Sequence, residues 1–353
     1  QPQSAGRRCK MEALQIIWFV LWGVLWAVYF LLDGFVLGTG MLHLFLGRSD
    51  TERRVLVNTY GPVWDGNEVW LITAGGATFA AFPTTYALMF SYLYTALLLL
   101  LFCLIVRGVS FEFRGKVDNL VWKGAWDKAI FFSSFLIALL LGVAFGNIFE
   151  GLPMDADGYH GSLFSLLNGY GLLTGIFFVL LFLVHGALYA TLKTTGDLSE
   201  RAKSLAKNAW PFLLVAAVGF LIYTAFATRL LGNYFREPYL LAVPLAAVLA
   251  LLGIRMFIAR GATLYAFGAS SVTILCVTFT GIIGLFPNLI PSSLDTSYSL
   301  TIFNSSSSFL TLAVMTVVAL IFVPIVIGYK IWVYRVFRAP VTSEEIAGNR
   351  DAY

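Results

Sequence analysis

Three carboxylates sit in stretches that are otherwise apolar, and their chemistry comes first. Asp33 follows an uncharged run, Ala13–Leu32. Asp65 and Glu68 open the segment "YGPVWDGNEVWLITAGGATFAAFP", Tyr60–Pro83, three residues apart and therefore on neighbouring parts of one helix face. Asp33 precedes Arg48 by about 15 residues, which places it about 22 Å along a helix and near mid-membrane. An Asp at such a depth costs about 2.5–3.5 kcal/mol even on the lower scales. A partner, a water-filled cavity or protonation must offset that. An acid there either relays protons or ions, or joins two helices through hydrogen bonds. Asp65 has a plainer alternative: Pro62 suits the first position of a helix, which puts Asp65 near its positive end. Arg54 is only about 11 residues before Asp65, so the Asp65–Glu68 pair lies closer to the membrane surface than Asp33. Acids at two depths on adjacent helices are what a proton intake route needs.

The elements that must position these acids are read from the apolar runs. The chain has 353 residues, 59% hydrophobic and 12% charged, with a mean hydropathy of +0.82. A soluble domain is about one quarter charged. Runs without Asp, Glu, Lys or Arg recur at Ala13–Leu32, Val69–Val106, Ala129–Phe149, Gly161–Leu192, Trp210–Thr228, Gly261–Leu294 and Thr296–Tyr329. Crossing the hydrocarbon core takes about 20 apolar residues as a helix. The chain is therefore an all-α polytopic membrane protein. The runs do not alternate in polarity, which excludes a membrane β-barrel. Val69–Val106 is too long for one span, and Pro83 marks a turn within it. Nine spans result, at about 14–46, 62–82, 84–108, 127–149, 163–192, 210–230, 238–258, 262–286 and 309–336. Residues 1–10 are set aside as a tag remnant or upstream extension, 11–338 form one transmembrane domain, and 339–353 form a tail.

Arginines and lysines crowd the loops that follow odd-numbered spans, from Arg48, Arg53 and Arg54 to Lys330 and Arg338. The other side carries only Arg229 and Arg236 besides the N-terminal Arg7, Arg8 and Lys10. Positive loops stay in the cytoplasm, so the N-terminus is expected outside and the C-terminus inside. The net charge of +4 thus belongs to loops, and no nucleic-acid surface is indicated. The outer loops "NIFEGLPMDADGYHGS" and "FPNLIPSSLDTSYSLTIFNSSSS" are acidic or nearly uncharged; the second is either ordered against its surroundings or a flexible polar loop. The tryptophans Trp18, Trp22, Trp26, Trp64 and Trp70 read as interface belts and packing.

Cofactor chemistry is sparsely supplied. There are three cysteines and three histidines, with no CxxC pair and no metal-ligand spacing. His43 lies near the cytoplasmic end of span one and His160 in an outer loop. His185 alone is deep enough to hold a haem, with no second histidine at its depth, and reads as a hydrogen-bonded interior residue. Two classes fit: a proton-coupled secondary transporter of a small solute, or a subunit of a proton-handling redox complex. A transporter would show broken helices and a polar midplane cavity, and only Asp33 hints at one.

The motifs separate the two. "DGFVLGTGML" (Asp33–Leu42), "GRSDTERR" (Gly47–Arg54), "GPVWDGNEVWLITAGGATFAAFP" (Gly61–Pro83), "RGVSFEFRGK" (Arg107–Lys116) and "GLFPNLIPSSLDTSYSLTIFNSSSSFLTLAVMTVVALIFVP" (Gly284–Pro324) resemble subunit II of the cytochrome bd quinol oxidases. The resemblance runs from Met11 to about Arg338 and is weakest between about 117 and 260. It implies two four-helix bundles plus one peripheral helix in the bacterial cytoplasmic membrane. It also implies a complex that oxidises quinol, reduces O2 to water and builds a proton gradient without pumping. No cofactor is then bound by this chain: two b-type haems and one d-type haem belong to a partner, subunit I. A small accessory subunit and a structural quinone occur in some members. Asp65, in the WDGN motif, is implied on a proton route toward the haem site, with Asp33 as a further relay. Glu68 stands where Gln occurs in other members. Trp64, Asn67 and Arg107, in the same motifs, are candidates for the subunit interface or for surrounding the acids.

Overall fold

Leu-, Phe- and Ala-rich stretches cannot leave backbone groups unpaired in lipid, so they close every hydrogen bond within a helix. The computed structural model describes residues 2–348. Its helices are α1 (Pro2–Leu46), α2 (Asp50–Tyr60), α3 (Trp64–Ala81), α4 (Pro83–Tyr92), α5 (Tyr94–Phe113), α6 (Leu120–Glu150), α7 (Gly169–Lys193), α8 (Gly196–Ala227), α9 (Leu231–Arg236), α10 (Ala242–Ala259), α11 (Thr263–Leu285), α12 (Phe309–Val336) and α13 (Ser343–Gly348). Several starts carry side-chain caps, from Ser49, Asn119, Asn168 and Ser308.

Among the described residues, eight helices are long and apolar enough to cross a membrane: α1, α5, α6, α7, α8, the Pro238–Ala259 segment containing α10, α11 and α12. The ninth expected span is α3, of 18 residues, whose polar first turn keeps it out of that group. Helices α1, α3, α4–α5 and α6 form one bundle and α7, α8, α10 and α11 a second, joined where α6 meets α7 and where α1 meets α7 and α11. Helix α12 is peripheral, with Leu312 its one buried residue. It is held through Trp18, whose Nε1 donates to Leu312 O at 3.2 Å and Thr316 Oγ1 at 3.0 Å.

Boundaries differ from expectation where composition misleads. Helix α8 begins 14 residues before the expected 210, because its charged first half is amphipathic: Leu198, Ala202, Ala206 and Trp210 line one buried face. Pro83 does open a helix, but the span it starts breaks again at Leu93. That buried leucine packs with Leu152, Met154, Ile290 and Leu300 of the outer loops. Those loops form two small hairpins, β1 (Met154–Asp155) with β2 (Gly158–Tyr159) and β3 (Asn288–Ile290) with β4 (Leu300–Thr301). A bridge between Leu152 and Ser292 ties them together, so the uncharged loop is ordered against its neighbour.

Close approach of α1 and α7 depends on glycine. A Cβ on Gly38 would lie 1.9 Å from Phe182 O, and one on Gly186 would lie 2.4 Å from the backbone of Gly38 and Thr39. Beside this contact Trp22, Trp26, Tyr29, Phe30, Phe145, Phe178 and Phe182 form an aromatic column. Trp18, Trp22, Trp26 and Trp70 are buried, so of the two roles expected of them, interface belts and packing, these four take packing. At the ends of the chain, α1 runs unbroken from Pro2, and the tail docks: α13 lies against α2 with Ile346 buried. Gln1 and residues 349–353, parts of the expected extension and tail, lie outside the described residues.

Candidate functional site

Asp33 projects from the middle of α1 into the first bundle and is fully buried. Its partner comes from α5. That helix continues to Phe113, so Arg107 lies two turns inside it and is itself fully buried. Nη2 of Arg107 donates to both oxygens of Asp33 at 3.1 Å and also to Oε1 of Glu68. The Glu68 side chain is 20% exposed, so one edge of the triad reaches the surface of α3. Arg107 Nε and Nη1 have no hydrogen-bond partner among the described residues, and the Tyr29 hydroxyl, one turn before Asp33, lies beside its carboxylate.

Asn67 and Trp64 frame this triad. Asn67 Nδ2 donates to Leu32 O at 2.9 Å, and its Oδ1 accepts from Tyr334 at 2.8 Å and Lys330 at 3.3 Å. It therefore links α1, α3 and α12. Trp64 packs edge-on to Phe111, with ring centres 5.2 Å apart. Asn67→Leu leaves the Leu32 and Tyr334 groups without their partner and is expected to lower stability by about 1–3 kcal/mol. Because α12 has so little buried surface, faster deuterium exchange should concentrate around Lys330–Tyr334; unchanged exchange there would show that other contacts hold it.

Asp65 stands apart from the triad. It is exposed, in line with the exposed Val69, Ile72, Thr73, Gly76 and Phe79 along the outer side of α3. It makes no hydrogen bond or ion pair among the described residues and lies within electrostatic reach of Lys330. The structure thus brings Asp33, Glu68 and Arg107 together, sets Asn67 and Trp64 beside them, and leaves Asp65 on the surface.

A second buried cluster escaped the sequence reading. Asp127 on α6 is 1% exposed and accepts from His43 Nε2 at 2.6 Å, Arg114 Nε at 2.5 Å and Arg53 Nη1 at 2.8 Å. Arg114 also binds Asp50 at 2.8 Å, and Lys123 closes on Asp50 at 3.2 Å. Burial alone would raise the Asp50 pKa, but hydrogen bonds from Arg114 and Lys123 outweigh it and hold the carboxyl below its ordinary range. The available signal is charge balance: Asp127 lies two turns into α6, just before its long apolar run, and such an acid calls for nearby bases. The same signal applies to Arg107, which directly follows the charge-free run Val69–Val106.

None of the three histidines is free to serve a haem. His185 is buried, with Nδ1 at 2.6 Å from Ser270 Oγ, Nε2 at 3.2 Å from Leu31 O, and its ring stacked on Phe267 at 4.6 Å. If Nε2–H donates to Leu31, Nδ1 accepts from the Ser270 hydroxyl. His43 is clamped onto Asp127 beside two guanidinium groups, and His160 is bonded to Asp155 at 2.8 Å in an outer hairpin. The residues present do not fit a haem within this chain. No group of three His, Cys, Asp or Glu among the described residues is placed to hold a metal ion.

The family model described as cytochrome bd terminal oxidase subunit II matches residues 14–337. The chain belongs to that family. As a cytochrome bd oxidase subunit II, it is one subunit of a quinol-oxidising oxidoreductase complex that contains haem and a partner subunit. Cytochrome bd ubiquinol oxidase subunit 2 of Bacillus subtilis is 41% identical over 338 residues, covering 95% of this chain and 99% of that protein. Cytochrome bd-I ubiquinol oxidase subunit 2 of Escherichia coli K12 is 39% identical, covering 96% and 98%. A chain of the bd oxidase from Geobacillus thermodenitrificans superposes with a TM-score of 0.74 at 17% identity, covering 92% of this chain and 98% of that one, and shows the shared fold.

Proposed function

We propose that this subunit II supplies part of the route by which protons pass from the cytoplasm to the site of O2 reduction in its partner. Asp65, Glu68 and Asp33 carry that route. The supporting observation is the Asp33–Arg107–Glu68 triad: three ionisable groups from three helices converge inside an apolar bundle, and Glu68 alone reaches its edge. Asp65, exposed one turn before Glu68 on α3, is the group that meets water or the partner first. The two b-type haems and the d-type haem are held by subunit I, in keeping with histidines here that are all engaged elsewhere. Quinol is oxidised on the outer face of the partner and releases its protons there. A gradient then forms without pumping across the bacterial cytoplasmic membrane, with the N-terminus outside and the C-terminus inside. A structural quinone and a small accessory subunit are compatible with the exposed apolar helix faces.

In the intact complex, Asp65→Asn is expected to slow quinol-dependent O2 uptake about a hundredfold, the low end of what a positioned proton-transfer group contributes. Asp65→Glu should be milder. Unchanged turnover and haem content in Asp65→Asn would remove Asp65 from the route. Co-purification tests the transporter reading: the chain is expected to leave the membrane with a haem-bearing partner, whereas a transporter would purify alone and move solute in liposomes.

A further inference from the structure

The triad does not balance its own charge. Arg107 faces Asp33 and Glu68, one base against two acids, all three bonded through a single guanidinium nitrogen. Widening the circle keeps the surplus. Asp65 on α3 is matched by Lys330 on α12, within electrostatic reach of it. Tyr29 on α1, Tyr334 on α12 and the buried Tyr60 at the end of α2 are neutral phenols. A net negative charge in a site whose Asp33 and Arg107 are wholly buried is strongly disfavoured. Something positive must accompany the second carboxylate.

We propose that the Asp33–Arg107–Glu68 triad holds one proton, shared by its two carboxyl groups, in the resting complex at neutral pH. Its use in turnover rests on the proton route proposed above; its existence rests on charge alone. A metal cation fits poorly there. Such an ion wants a shell of free oxygens, and these carboxylates already face a guanidinium whose Nε and Nη1 have no acceptor in the structure. A proton needs no shell. Placed on either acid, it leaves one carboxylate paired with Arg107 and one neutral carboxyl group. The Tyr29 hydroxyl, one turn along α1, lies beside Asp33 and is placed to bond that group. Glu68 is the member in contact with the surface of α3, so the proton enters and leaves through its carboxyl, while Asp33 keeps the inner position.

Infrared spectroscopy of the purified complex tests this without depending on turnover. A protonated-carboxyl C=O band is expected at neutral pH, shifting in D2O. It should be lost in Glu68→Gln and equally in Asp33→Asn, because either change leaves one acid for one base. Haem content should stay close to the parent in both, while Glu68→Asp should retain the band at a shifted position. A band that survives both substitutions, or is missing from the parent, overturns the proposal. A band seen only when potassium and sodium are replaced by a bulky organic cation also overturns it, since a metal ion would then occupy the site. If the band is lost as expected while O2 uptake in Glu68→Gln stays at the parent rate, the stored proton stands and the triad's place on the route falls. If uptake falls more than tenfold with no band in the parent, the route stands and the stored proton falls.

Discussion

Arg107→Leu is expected to leave almost no recoverable complex. The substitution takes the base from a site where Asp33 is fully buried and Glu68 mostly so, and leaves the remaining carboxylate buried without a counter-charge. Breaking a buried pair by removing one partner costs about 3–5 kcal/mol, set against a total folding stability of about 5–15 kcal/mol. The loss also unties α5 from α1 and α3 at one point. Arg107→Lys should fall between, because an ammonium group cannot span both carboxylates as the planar guanidinium does. Asp33→Asn should be far milder, since Arg107 keeps Glu68. Haem per unit of purified protein and the thermal midpoint of the solubilised complex measure all three. Normal yield and midpoint for Arg107→Leu would show that the two acids are neutral without it.

Gly38→Ala carries an effect of similar size for a steric reason. The added carbon would meet Phe182 O at 1.9 Å and the Gly186 backbone at 2.8 Å. Carbon contacts settle at about 3.5–4.0 Å, and no rotamer can move a backbone aside, so α1 and α7 must part. Three contacts across that seam would go with it: Thr39 Oγ1 to Gly186 O at 3.3 Å, His185 to Leu31 O, and the Phe35–Tyr189 stack at 4.0 Å. Overpacking costs about 1–3 kcal/mol where side chains can yield, and this seam has none to yield. Gly186→Ala should match it. Gly268→Ala is the control: nothing lies within 4 Å of its Cβ position, and the midpoint should not fall. A midpoint for Gly38→Ala within error of the parent would mean that the seam is looser than its geometry.

Several features could be read directly along the chain because they depend on near neighbours in sequence. Charge-free runs of span length predict helices. Pro83 predicts the turn between α3 and α4. The depth of Asp33 follows from its distance to Arg48, and the small residues after it leave room for close helix contact, with α7 against Gly34 and Gly38 and α6 against Gly40. The motifs around Asp33 and Asp65 were distinctive enough to place the chain in its family. Other features could not be read that way. Arg107 meets Asp33 across 74 residues, and His43 meets Asp127 across 84. Asp65 and Glu68, three residues apart, part company: one bonds inward and the other faces out. The outer loops pair at Leu152 and Ser292, and the charged half of α8 buries one face. The physical reason is common to all of these. A helix is set by hydrogen bonds four residues apart, so local composition suffices to specify it. Which acid finds which base depends on the rotation of each helix and on the partner it packs against, and those quantities exist only once the helices have assembled.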